Sequence, residues 1–252
     1  MRHSPSPGTY RHTRYPPCDA LADWVQHFWI ESWDLRGRAP QTREVLPHPS
    51  VHLVFARGRS RIYGVQLTRF VRELKGQDCV FGVKFLPGAF YPFLRKPVYS
   101  IANCSFPAQQ LFGDALAAEE ELHSRTDDRR MVEVASAFLS ARLPPPDPNV
   151  ENARRAVAAI AEDRRIVRVE DLMGRCGMQD RTLQRLFRRY IGASARWVIK
   201  RYRLYEALDR LSGANRSAWV DLAQELGYFD QAHFINDFKK IVGRSPSAYL
   251  KP

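Results

Sequence analysis

Apolar positions fall in short β-branched and aromatic blocks through the first half of the chain, and at helical spacing through the second. Val51-His52-Leu53-Val54-Phe55 and Ile62-Tyr63-Gly64-Val65-Gln66-Leu67 flank Arg57-Gly58-Arg59-Ser60, a pattern that predicts a hairpin. Cys79 to Leu86 predicts a third strand, stopped by Pro87-Gly88. Short helices are expected over Leu21–Phe28 and after Gly88, and a longer one over Arg130–Leu143. Residues 1–142 therefore predict an α+β domain. Four of the five residues from Pro144 to Pro148 are proline, which neither a helix nor an inner strand accepts, so 143–149 predicts a stiff linker.

Residues 150–252 predict an all-α domain. Val150–Asp163 has Ala and Val at helical spacing, and later helices break at Gly177, Gly192, Gly213, Gly227 and Gly243. The order of short helix, glycine turn, basic helix and glycine runs from Val169 to Gly192 and again from Ala218 to Gly243. This is a duplicated helix-turn-helix unit.

In the first copy Val169, Leu172 and Met173 share one face, and Gly177 supplies the turn. The next helix opens at Gln179 or Asp180. Leu183, Leu186, Phe187 and Tyr190 follow at i, i+3, i+4 and i+7 as one buried stripe. Arg181, Gln184, Arg185, Arg188 and Arg189 stay outside it. Arginine can bond guanine twice and glutamine can pair with adenine, while later arginines meet phosphate. In the second copy Phe234, Phe238 and Ile241 form the stripe, Asp230 is placed to cap, and Gln231, His233, Asn236, Lys239 and Lys240 remain for DNA. Ser194–Leu211 contains no breaker. Its 18 residues predict a rod of roughly 27 Å, with Trp197, Leu204, Leu208 and Leu211 on one face. Such a spacer suits two readers about one DNA turn apart, roughly 34 Å.

Charge supports this picture. The chain carries +12, and from Val150 onward 20 Lys and Arg stand against 12 Asp and Glu. Basic charge gathered on one domain points to a polyanion. With 44% hydrophobic and 26% charged residues the chain reads as globular. No apolar run approaches the roughly 18 residues of a membrane span, and Met1–Pro17 lacks the apolar core of a secretory signal, so the expected location is cytoplasmic. Cys18, Cys79, Cys104 and Cys176 lie far apart, a pattern that predicts neither a disulfide framework nor a zinc site.

Leu222-Ala223, Leu226-Gly227-Tyr228, Asp230-Gln231-Ala232-His233-Phe234, Phe238-Lys239-Lys240, Gly243 and Ser245-Pro246-Ser247-Ala248-Tyr249 carry a resemblance to a known family. Residues from about 153 to 252 resemble the DNA-binding domain of the AraC/XylS family of bacterial transcription regulators. The resemblance implies base contacts at Arg181, Gln184 and Arg185, and at Gln231, His233 and Asn236. At Ile235-Asn236-Asp237 the family commonly has Ser-Arg, and the acid there predicts weaker base reading by the second helix. Trp24 to Trp33, Leu46-Pro47 with Leu53-Val54-Phe55, and Gly82 to Gly88 resemble an uncharacterised domain often joined to this module. That implies a sensor or dimerisation domain. Double-stranded DNA is thus the implied partner of a regulator or activator, with RNA polymerase, a small-molecule effector and a second copy as further candidates and no membrane.

Other chemistry finds less support. His48 and His52 are four apart around Pro49, which is not a metal spacing by itself, and His233 stands alone. Trp24, Phe28, Trp29 and Trp33 could line an apolar effector pocket but read better as core. Glu119-Glu120-Glu121 reads as a solvated helix face. No GxSxG, HExxH or Walker sequence occurs, and a repair alkyltransferase would need clustered thiolates, so no enzyme and no cofactor are expected. An architectural DNA-binding protein lacking an effector is the alternative.

Overall fold

The computed structural model describes residues 10–125, 127–211, 228 and 231–249. Its N-terminal part is built on six antiparallel strands in the order β1-β2-β7-β4-β5-β8. These are Tyr10–Tyr15, Val25–Leu35, Gly76–Phe85, His52–Phe55, Arg61–Tyr63 and Ser105–Pro107. A second pair, β3 (Gln41–Val45) and β6 (Phe70–Leu74), packs on the outer face. There Arg43 lies 3.8 Å over the Tyr10 ring and Arg72 4.9 Å over Trp33.

The expected hairpin forms, with Leu53 paired to Ile62 and the loop at 57–60 between them. The helix expected over Leu21–Phe28 does not. Asp19–Leu21 is a single 3₁₀ turn, and β2 starts at Val25. Leu21, Val25 and Phe28 are all buried at a spacing that imitates a helix. A bulge between Val25 and His27 is what lets a strand reproduce that spacing. Pairing to β1 on one side and β7 on the other then satisfies the backbone of β2. Phe28 and Trp33 are core, as read from the sequence. After Gly88 one helical turn forms, α1 (Tyr91–Leu94).

Helices α2 (Ala115–Ser124) and α3 (Asp128–Ser140) cover the inner face, where the Phe138 ring meets Phe55 edge-on at 5.7 Å. Glu119 corrects the expectation of a solvated acidic run. It is 4% exposed, because its carboxylate accepts from the Gly58 and Ser60 amides and, at 2.7 Å, from the Ser60 hydroxyl. It caps the β4–β5 loop.

The proline stretch is extended only as far as Asp147, whose side chain caps α4 (Pro148–Glu162) with Pro148 in the first turn. α5 (Val169–Cys176), α6 (Asp180–Leu186, prolonged by a π turn over Phe187–Ile191), α7 (Ala195–Leu211), α8 (Gln231–Val242) and α9 (Pro246–Tyr249) follow. One hydrophobic core runs without interruption from Leu21 to Ile199, so the sheet and the first helical unit share a single interior. A smaller cluster joins Leu204, Ala207 and Leu208 to Tyr228, Phe234 and Phe238. Among the described residues no helix is long and apolar enough to cross a membrane. No three His, Cys, Asp or Glu side chains gather there as a metal site.

Asp128 ties α3 to the edge strand. It takes a bidentate pair from Arg11 at 2.7 and 2.9 Å, and bonds from Tyr15 at 2.6 Å and Thr13 at 3.2 Å. Burial alone would raise its carboxyl, but Arg11, Tyr15 and Thr13 outweigh that and hold it below the ordinary carboxylate range. A depressed carboxyl stabilises the fold above its unfolded-state pKa and loses that contribution as pH falls through the folded value. Asp128→Asn should therefore cost about 1–2 kcal/mol near neutrality, tempered by the partial exposure of Arg11. The difference from the natural protein should shrink progressively in acid, as pH falls below the ordinary carboxylate value of 3.8 and through the lower folded one. Urea melts near neutrality and in acid check it.

Candidate nucleic-acid interface

In the first helix-turn-helix unit Leu172, Leu183 and Phe187 are fully buried, and Leu186 and Tyr190 nearly so. Gly177 turns the chain at φ 64°, a conformation that favours glycine. Gln179 is the N-cap residue of α6, and Asp180 is its first member. Five side chains expected outside the stripe, Arg181, Gln184, Arg185, Arg188 and Arg189, are all exposed. Gln184 is held by its amide donating to Asp180 at 2.8 Å.

The last two arginines differ from the first three. Arg188 lies 4.6 Å over the Tyr99 ring, and Arg189 lies 4.8 Å over Tyr91 while its Nε donates to the Tyr91 hydroxyl at 2.6 Å. Both aromatic partners belong to the N-terminal domain. The far end of this helix is therefore engaged with the sheet domain rather than open along its length.

In the second unit the stretch 218–227 and the cap at Asp230 lie outside the described residues. α8 buries Phe234, Phe238, Ile241 and Val242. Gln231, Asn236, Lys239 and Lys240 are exposed, and His233 is half-buried, edge-on to the Tyr228 ring at 5.3 Å. Asp237 points inward, 9% exposed, and accepts from the Lys200 ammonium on α7. The acid is thus directed away from the exposed row of this helix. Its charge is matched inside and is not offered to a groove.

α7 is unbroken over 17 residues, a rod of about 25 Å. Leu204 and Leu208 pack toward α8, while Trp197 packs on the main core; the side chain of Leu211 lies outside the described part. The N-terminal domain also grips this helix. Trp197 donates to the Leu67 carbonyl at 3.1 Å, and Arg201 and Tyr205 each donate to the Pro47 carbonyl at 3.0 Å.

Between α5, α7 and α8 lies a cavity of about 340 Å³ lined by Arg168, Arg196, Lys200, Arg203, Tyr228 and His233. The Tyr228 hydroxyl and the Arg203 Nε are buried there with no hydrogen-bond partner among the described residues. Sequence reasoning missed this basic hollow because its residues come from three separated segments, none with a motif of its own.

A helix-turn-helix domain family matches residues 172–252, and a domain family of unknown function matches residues 13–107. No curated protein matches the chain. Among solved structures, an apo single-residue variant of ToxT from Vibrio cholerae aligns with a TM-score of 0.43 at 12% identity, covering 88% of this chain and 96% of that one. A second ToxT structure from Vibrio cholerae, solved at 1.65 Å, gives 0.40 at 12% identity, covering 96% and 97%. The AraC-like transcriptional activator CuxR gives 0.23 at 13% identity, covering 85% and 100%. These structural likenesses are too distant to carry weight; the domain match, with the two glycine-punctuated units and their polar rows, carries the assignment. What the match shows is a helix-turn-helix domain over residues 172–252, preceded by a distinct N-terminal domain whose family has no known function.

Proposed function

We propose that this regulator reads two adjacent major-groove segments on one face of duplex DNA, and that a small molecule acting on its N-terminal domain adjusts that reading. One observation carries the first part: α6 and α8 each present a polar row outside a buried stripe, and an unbroken, enclosed α7 joins them. In this reading Arg181, Gln184 and Arg185 meet base edges, as do Gln231, His233 and Asn236. Lys239 and Lys240 meet phosphate. Arg168 and Arg196 form no ion pair among the described residues and line the basic hollow beside α7, where they suit the intervening backbone.

The second part rests on the grip of the N-terminal domain on Arg188, Arg189, Arg201 and Tyr205. Arg188 and Arg189 meet phosphate only if Tyr99 and Tyr91 release them. A ligand that alters this seat alters both the basic face and the spacer. Contact with RNA polymerase and pairing of two copies belong to the same reading of an activator. An architectural protein would keep the DNA face and show no response to any ligand.

Three outcomes are expected. Footprinting of the full-length protein should protect roughly two turns, about 20 base pairs, and a half-length site should bind much more weakly at fixed salt. Protection of a single turn with no loss on halving removes the two-reader arrangement. Arg185→Ala should cost about 1–3 kcal/mol on the preferred site and relax one base position, whereas Lys240→Ala should weaken all sequences alike and lower the salt slope by about one. Equal loss of sequence preference from both contradicts this division. Tyr91→Ala, by freeing Arg189, should strengthen binding to arbitrary duplex and steepen its salt dependence by about one unit. An unchanged slope in filter-binding titrations would show that Arg189 does not reach phosphate.

A further inference from the structure

The outer face of the sheet carries groups that DNA reading does not use. Register sets Lys84 on β7 directly between His27 on β2 and His52 on β4. Directly paired residues project to one face, so imidazole, ammonium and imidazole stand in a row at strand spacing, about 4.8 Å apart. Beside the row the Trp29 indole lies across β7 at Gly82, where a Cβ would fall 1.9 Å from the ring. Only a residue without a side chain admits it. From there Trp29 Nε1 donates to His52 Nδ1 at 3.3 Å. His48 closes the other side, its Nδ1 3.0 Å from the Ser50 hydroxyl and its ring 6.4 Å from that of Tyr202 on α7. His27, His48, His52 and Lys84 are each largely enclosed by protein yet keep part of their surface open.

Every charge that meets this row is basic. Burial, reinforced by like charges, brings Lys84 down to about 7, His27 to about 4 and His52 to about 3, and holds His48 well below its ordinary value. The charges acting on Lys84 are Arg201 from α7 and Arg14 from β1, and those acting on His27 are Lys84, Arg14 and His12. Of the carboxylates that register puts on the same face, Glu31 is engaged by Tyr10 and lies 3.8 Å from Arg72, and Asp78 is paired with Arg59. A half-buried lysine ordinarily has an acid opposite it. Here a row of basic groups converges, and the described residues set no acid opposite Lys84.

We infer that this row is the ligand site of the N-terminal domain, and that it takes a small organic carboxylate between Lys84, His27 and His52, with the apolar part of the ligand along Trp29. The inference rests on the reading of that domain as ligand-responsive, and deepens it by naming the ligand class. It also gives a route to the DNA face. His48, beside the row, and its neighbour Pro47 touch Tyr202, Arg201 and Tyr205 of the helix that spaces the two readers.

A carboxylate seated here favours the charged form of Lys84, so binding draws a proton from solution where the free amine is neutral. Titration calorimetry of the full-length protein in buffers of different ionisation enthalpy reads this, with phenylacetate as probe, phenylacetamide as its neutral counterpart and inorganic phosphate as a second anion. Phenylacetate should bind with uptake approaching one proton at about pH 8 and clearly less at about pH 6, where Lys84 is already charged. Lys84→Met removes a desolvated amine, so its melting temperature should not fall, while phenylacetate affinity should drop roughly tenfold or more and the uptake should vanish. The inference is overturned if phenylacetate gives no heat, if phenylacetamide binds equally, if only phosphate binds, or if uptake survives in Lys84→Met. A gel shift on the same preparation separates the two readings. Duplex binding without phenylacetate binding sinks this inference alone, and phenylacetate binding without a duplex shift sinks the DNA reading alone.

Discussion

α7, which joins α6 to α8, takes its stability from tertiary packing more than from its own propensity, as most helices in proteins do. α7 acquires its stiffness by enclosure. Of its described side chains at 195–208, only Arg196 is exposed. Val198 and Ile199 belong to the core shared with the sheet domain, and Leu204, Ala207 and Leu208 to the cluster under α8. Arg203, 2% exposed, donates to the Ile160 and Asp163 carbonyls at the end of α4 and to Glu206 at 2.7 Å. Each neighbour of α7 is thereby held in place by the same rod, and a shift of that rod moves them together.

The polar contacts of α7 matter as much as the apolar ones. Lys200 and Asp237 form an ion pair with side chains 24% and 12% exposed, sited where α7 meets the second reading helix. Half-buried pairs contribute little net stability, since desolvation offsets attraction, but removing one partner leaves a charge stranded. Such a pair therefore sets the orientation of α8 more than it strengthens it. It also turns an acidic group away from the exposed row of α8.

The N-terminal domain reaches the DNA-binding half at two kinds of place: the basic end of the first reading helix, through Tyr91 and Tyr99, and the rod itself, through Leu67 and Pro47. Because one core runs through both halves, these contacts are not a loose docking of separate bodies. The row of Lys84 and histidines lies beside the Pro47 contact, so a change of charge there acts next to the spacer rather than far from it.

The sequence by itself determined the first helix-turn-helix unit, the turns at Gly177, Gly192 and Gly243, the unbroken spacer and which side chains of α6 and α8 remain outside, because helical spacing and turn chemistry are local properties. The core stripe Leu183, Leu186, Phe187 and Tyr190 and the exposed Arg181, Gln184 and Arg185 were legible for that reason. Only the tertiary structure decided that Val25 begins a strand, since the partners of that strand lie in β1 and β7, the latter far along the chain. It likewise decided that Glu119 faces a loop, that Asp237 faces Lys200, and that Arg188 and Arg189 face two tyrosines. The direction of a charged side chain is set by what desolvates or answers it, and for these residues that partner is distant in sequence and unmarked by any pattern around it.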